Sequence, residues 1–260
     1  MNSQTLQALG QELHAALATG EPVAPLSDRY PQMTIEQAYR IQLAMIQARL
    51  DAGERVVGKK IGVTSKVVMD MLDVDQPDFG HLLSGMAFHN DAAIECRTLI
   101  APKAEGEIAF VLKHDLMGPG ITVADVLHAT EYVTPCFEIV DSRIQDWKIR
   151  IQDTVADNAS AGTFVLGSER VDPRVVDLAC VGMTLEKNGE VVATGAGAAA
   201  LGHPANAVAW LANTLGVLGI GLKSGEVILS GSLAAMVPVV AGDRLRIRLG
   251  GIGSASVRFV

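Results

Sequence analysis

Ala104-Glu105-Gly106-Glu107-Ile108-Ala109-Phe110-Val111-Leu112 is the stretch on which the reading of this chain turns. Ile108–Leu112 is a β-rich apolar run, and two carboxylates stand at i and i+2 just before it. Successive side chains of a strand point to opposite faces, so Glu105 and Glu107 share one. Two like charges held that close repel unless a cation or a proton sits between them. The apolar run implies partial burial, which sharpens that need. Further along, Thr134–Val140 reads as a buried strand with Glu138 inside it. An isolated ionised Glu there is costly, so it requires a partner. Three converging carboxylates describe a site for a hard cation, Mg²⁺ or Mn²⁺. The residues alone leave a plainer alternative open: two exposed glutamates on an edge strand, with Glu138 paired to Arg143.

Outward from this strand the chain divides by periodicity. Leu6, Leu9, Leu13 and Leu17 form one apolar stripe at helical spacing, closed by Gly20 and Pro22. Glu21–Pro31, with three prolines, reads as a linker. Thr34-Ile35-Glu36-Gln37 is a capping box opening a second helix with Ala38, Ile41 and Met45 on its apolar face. From Arg55 the period shortens. Val56-Val57, Lys60–Val63 and Thr163–Gly167 suit strands, as do Glu226–Leu229, Leu245–Leu249 and Ser254–Phe259. Asn188-Gly189 marks a hairpin. Thr122-Val123-Ala124-Asp125 opens a helix toward Tyr132, and His203-Pro204 another to about Leu215. The expectation is an α+β protein: a helical N-terminal region, 1–54, and a β-rich catalytic body, 55–260.

Composition narrows the function. The chain has 260 residues, 49% hydrophobic, enough for a sizeable core. Lys+Arg 21 against Asp+Glu 29 leaves a net charge of −8, which argues against nucleic acid or an anionic membrane as partner. No apolar run approaches the roughly 20 residues that span a bilayer. Cys96, Cys136 and Cys180 are odd in number and widely spaced, which fits neither a disulfide framework nor a thiolate zinc site. With no basic start and apolar core at the N-terminus, the expected location is a reducing cytoplasm.

Four other segments carry candidate chemistry. In Val57-Gly58-Lys59-Lys60-Ile61-Gly62, alternation turns one lysine inward and one outward, and an inward lysine near the carboxylates would bind a substrate carboxylate or move a proton; two solvated lysines are the plainer alternative. Asp78 in Gln76-Pro77-Asp78-Phe79-Gly80 suits a general acid or base, or a turn former. Asp157-Asn158-Ala159-Ser160 offers small polar groups to a ligand, or an ordinary turn. Leu229-Ser230-Gly231-Ser232 is placed to bring backbone N–H groups close to an anion. No nucleophile elbow, P-loop or dinucleotide fingerprint occurs.

Taken together, six segments resemble the hydratase/decarboxylase branch of the fumarylacetoacetate hydrolase superfamily. They are Gly58–Thr64, Val74–Gly80, Lys103–Ala109, Glu138–Arg143, Val155–Ser160 and Gly251–Ser254, in family order through nearly the whole chain. The resemblance implies a mixed β-roll, barrel-like body with N-terminal helices. It implies Mg²⁺ or Mn²⁺ held by Glu105, Glu107 and Glu138, with Lys60 and Asp78 as the acid/base pair. Asn158 and Ser160 would orient the substrate or a water. The implied reaction adds water to 2-hydroxypenta-2,4-dienoate, a small 2-hydroxydienoate, giving 4-hydroxy-2-oxopentanoate in aromatic meta-cleavage catabolism. The alternative is release of CO₂ from 2-oxohex-3-enedioate, as by 4-oxalocrotonate decarboxylase. Asp78 favours hydration, because decarboxylation needs no base to activate water. The resemblance also implies a homo-oligomer and association with a homologous decarboxylase.

Overall fold

A computed structural model describes all 260 residues. Three helices come first, α1 (Ser3–Thr19), α2 (Leu26–Arg29) and α3 (Ile35–Asp51). Leu6, Leu9 and Leu13 are buried, and α1 ends where Gly20 adopts φ 75° and donates its N–H to Ala16 O. The Thr34/Gln37 capping box forms at the start of α3. The proline-rich linker is not entirely irregular, because α2 lies within it. The apolar faces of these helices bury against Ile144, Ile151, Val155 and Ala156 from much later in the chain.

The body is built from thirteen strands and four further helices. In chain order they run β1 (Val56–Gly62), α4 (Lys66–Leu72), β2 (Asp78–Leu83), β3 (Ala87–His89), β4 (Ala92–Ile94) and β5 (Lys103–Leu112). Next come α5 (Val123–Ala129), β6 (Thr130–Val140), α6 (Ile151–Ala156), β7 (Ala161–Leu166), β8 (Gly182–Lys187) and β9 (Glu190–Ala196). Last are α7 (Pro204–Gly216), β10 (Val227–Leu229), β11 (Val237–Pro238), β12 (Arg244–Leu249) and β13 (Gly253–Phe259). The larger sheet has the order β2-β1-β10-β5-β6-β7-β3, with β11 also pairing β5, and a smaller sheet runs β4-β13-β12-β8-β9. The larger sheet is mixed: β1–β10 and β3–β7 are parallel, β5–β6 antiparallel. This is an α+β architecture.

Local signals hold with one shift. Asn188 (φ 55°) and Gly189 (φ 90°) make the turn between β8 and β9. His203 caps α7, its ring Nδ1 accepting from Ala205 N–H. The Thr122/Asp125 box opens α5, yet that helix stops at Ala129 instead of reaching Tyr132. The next residues enter β6, where Val133, Phe137 and Ile139 are fully buried, so tertiary burial overrides continuation of the helix.

The two sheets press together behind β5. A Cβ on Gly106 would lie 2.4 Å from Met183 Sδ and 3.1 Å from Ile247 Cγ2. Gly106 is therefore small because its face abuts the second sheet, while Glu105 and Glu107 face the other way. Gly106→Val should cost about 1–3 kcal/mol through overpacking, read as a lower urea midpoint at unchanged m-value. An unchanged midpoint would show that the sheets separate freely there.

Candidate active site

The register of β5 on β6 assembles the carboxylates. Glu105 stands directly opposite Glu138, and Glu107 opposite Cys136. Like charges directly opposed in an antiparallel pair repel. One oxygen from each of Glu105, Glu107 and Glu138 lies within 4.8 Å of the others. Glu107 is 0% and Glu138 1% exposed, so neither belongs to an open edge. Burial, followed by the neighbouring Glu138, pushes Glu105 up to about 7. Burial and the two neighbouring carboxylates hold Glu107 well above the usual carboxylate range. Glu107 Oε1 and Glu138 Oε2 have no hydrogen-bond partner within the protein. A hard-oxygen donor set with buried, unpartnered oxygens fits a divalent cation.

The plainer alternatives fail in this geometry. Glu138 pairs with Lys60, whose Nζ lies 3.2 Å from Oε1. Arg143 pairs instead with Asp157, both wholly buried, and also donates to Asp141 O and Ala161 O. Neither lysine is solvated: Lys59 is 4% and Lys60 3% exposed. Lys59, on the opposite face, pairs with Glu226 at 2.8 Å. Burial by itself would lower Lys60, but Glu138, Asp78, Glu105 and Glu107 outweigh it and hold the ammonium charged. The anion near Gly231 N–H proves to be one of the protein's own groups: the N–H donates to Glu107 Oε2 at 2.8 Å. Gly231 has φ 101°, and a Cβ there would strike Thr64.

Asp78 starts β2 opposite Gly62 of β1, which brings it to the same cavity as Lys60. It is 2% exposed, and neither carboxylate oxygen has a hydrogen-bond partner. Burial pushes it up to about 6; Lys60 pulls it down and Glu138 pushes it further up. Ser160 lines the cavity too, with its hydroxyl buried and unpartnered.

Asn158 takes a different place from the one expected. Its Oδ1 accepts from His81 N–H at 2.7 Å and its Nδ2 donates to His81 O at 2.9 Å. The amide is thus spent clamping the 158–160 turn onto β2, three residues from Asp78, and it does not line the cavity. Asn158, Ala159 and Ser160 all have positive φ, 55°, 50° and 52°, as does the β-branched Val63 at 57°. Such backbone is strained outside glycine and gathers at functional sites. It turns Ala159 O onto Lys60 Nζ at 3.0 Å.

Sequence reasoning missed Gln42 and His81. Gln42 Nε2 donates to Phe79 O and Val155 O, and its Oε1 lies 3.1 Å from His81 Nδ1. A polar residue on the apolar face of α3 was the available signal. Burial and the nearby Lys59 lower His81 to about 4. Above pH 6.5 the folded and unfolded states both hold it neutral. Below that the unfolded state binds the proton first, so stability falls until the folded imidazole also protonates near 4. At pH 5 the cost is about 2 kcal/mol. Stability lost by wild type between pH 7.5 and 5 should exceed that of His81→Gln by this amount in parallel urea titrations; equal losses would show that His81 is solvated.

The cavity holding Lys60, Asp78, Glu105 and Ser160 measures about 440 Å³. Its remaining wall is mostly apolar, including Val140, Trp147, Leu233 and Met236, and Lys60 is its one cationic side chain.

A mixed β body that sets three close carboxylates, two of them almost fully buried, beside a charged lysine at an apolar cavity is the arrangement of an enzyme that uses a divalent cation on a small anion. The model of the fumarylacetoacetate hydrolase C-terminal domain matches residues 65–260, and the chain belongs to that family. It is 57% identical to a 2-hydroxyhexa-2,4-dienoate hydratase of Comamonas testosteroni, across 99% of this chain and 98% of that protein. It is 61% identical to a 2-hydroxypent-2,4-dienoate hydratase of Pseudomonas putida, across 85% of this chain and all of that protein. A 4-oxalocrotonate decarboxylase from Pseudomonas putida G7, complexed with magnesium and adipate, superposes with a TM-score of 0.97 at 37% identity, covering 100% and 99% of the two chains.

Proposed function

We propose that this chain is a hydro-lyase that adds water to 2-hydroxypenta-2,4-dienoate, giving 4-hydroxy-2-oxopentanoate in aromatic catabolism. The observation that carries the reading is Asp78: a buried carboxylate with free oxygens, lining one cavity with the charged Lys60 and with Glu105 of the carboxylate triad. The hydratase names of close relatives support it. Glu105, Glu107 and Glu138 would hold Mg²⁺ or Mn²⁺, which supplies Lewis acidity toward the substrate's carboxylate and 2-oxo oxygen.

The chain's own groups account for the proton traffic. Protonation of the dienol at C5, with loss of the 2-hydroxyl proton, makes a conjugated ketone, and only then is C4 electrophilic. Water then attacks C4 as Asp78 takes one of its protons, and C3 receives a proton from the Lys60–Asp78 pair. An Asp poised near 6 accepts a proton near neutrality and releases it again. Lys60 stays cationic and stabilises negative charge on the intermediate enolate. Ser160 Oγ, buried and unpartnered, orients substrate or water. Asn158 acts through the backbone, by holding the strained turn against β2.

The decarboxylase likeness favours a second reading, CO₂ release from 2-oxohex-3-enedioate. A diacid needs a second cation for its distal carboxylate. The cavity offers only Lys60, already facing Glu138, so the geometry favours the monoacid. The metal-stripped protein, assayed with and without Mn²⁺ on each substrate, tests this. Metal-dependent 4-hydroxy-2-oxopentanoate without CO₂ from the diacid supports hydration, and the reverse overturns it.

A homo-oligomer and association with a homologous decarboxylase complete the proposal. Val191 and Val192 stand exposed on β9 at a sheet edge, which supports self-association. Light scattering of the chain alone and mixed with the decarboxylase checks both. Three free cysteines suit a cytoplasmic setting, and no helix is long and apolar enough to cross a membrane.

A further inference from the structure

We propose that the water consumed by the reaction reaches Asp78 through its own opening, separate from the one that admits the organic substrate. The inference rests on the reading of Asp78 as the residue that activates water. A second cavity of about 530 Å³ lies next to the first, and Asp78 is the one residue that lines both.

Two elements form the partition. Along α4, Met71 and Leu72 line the first cavity, whereas Met69 and Asp70 line the second. Between residues 149 and 155, Ile149 and Thr154 line the first and Ile151 and Val155 the second. The partition ends at Asp78, whose carboxylate is buried with no protein partner for either oxygen.

The two sides differ in chemistry. The first cavity is largely apolar, so a bound dienoate displaces its water. The second carries Asp70, Asp73, Asp75 and Gln76, all four exposed, so it stays wet and opens to solvent. Acidic groups there also repel the anionic substrate from the water side. Each turnover breaks one O–H bond of water, bonds its oxygen to C4 and delivers one proton to Asp78. With the substrate filling the first cavity, the second is the path for the next water and for proton exchange.

Narrowing the second cavity away from Asp78 tests this. Val74 and Ile35 are half-buried in its wall. Val74→Trp and Ile35→Trp, with Val74→Phe as a milder plug, should lower kcat at least fivefold while KM and Mn²⁺ affinity stay within twofold; Val74→Ala should keep the wild-type rate. A second readout uses 2-oxopentanoate, a saturated analogue that enolises but cannot be hydrated. Deuterium entry at its C3 from D₂O, followed by NMR, should slow in the plugged variants. Folded plugged variants with wild-type kcat and deuterium entry overturn the proposal. A raised KM at unchanged kcat overturns it too, by placing the second cavity on the substrate's path. The analogue arm needs no hydration, so it still reads the port if wild type fails to turn over the dienoate, a failure that would count against the hydratase reading alone.

Discussion

Asp78→Asn should lower kcat for hydration by about 10³-fold, within the 10²–10⁴ range typical of a positioned acid or base, while Mn²⁺ affinity stays near wild type. The substitution keeps shape and removes only the ability to accept a proton. Because Asp78 is buried with both oxygens unpartnered, the amide breaks no internal hydrogen bond. The folded protein should therefore be at least as stable as wild type, since a carboxylate pushed up to about 6 by burial carries a desolvation cost that the amide avoids. Steady-state kinetics with a parallel metal titration separates the roles. Unchanged turnover removes Asp78 from the mechanism, and a parallel loss of metal affinity moves it to the cation.

The second large effect has opposite signs in two assays. Glu107→Gln should weaken Mg²⁺ or Mn²⁺ binding by at least about 10²-fold and abolish activity at physiological metal concentration. Without metal, the same variant should be more stable than wild type. Three carboxylates within 4.8 Å, two of them almost fully buried, repel and are poorly solvated. Removing one charge relieves that, and the amide oxygen still accepts from Gly231 N–H. Metal at 100 times its Kd should stabilise wild type by about 2.7 kcal/mol and leave the variant's melting temperature nearly unmoved. A variant that is destabilised without metal, yet still raised by it, would show that Glu107 serves the fold and not the cation.

These expectations divide according to what was legible in the chain. Glu105 and Glu107 announce themselves by spacing, because strand alternation alone places them on one face. Glu138 stands out because an ionisable group interrupts an apolar strand. The helix caps at Thr34, Thr122 and His203 are equally local, since each is settled by hydrogen bonds within a few residues. Other partners were illegible for a physical reason. Arg143 has Glu138 and Asp157 both within reach in sequence, and nothing local decides between them. Lys59 finds Glu226, 167 positions away. Asn158 looked like a ligand-binding side chain because its type and neighbours suit one; only the approach of β2 shows its amide already in use.

The sequence by itself determined the α+β class, the helical start, the family resemblance and which residues carry charge into apolar strands. Those follow from periodicity, local capping and the cost of burying a charge, all properties of neighbouring residues. Only the tertiary structure decided that Glu105 faces Glu138, that Lys60 and not Arg143 answers that carboxylate, and that Asp78 lies between two cavities. Each depends on strand register and on elements far apart in the chain. A one-residue slip of β6 against β5 would turn Glu138 to the opposite face and dissolve the site without changing a single amino acid.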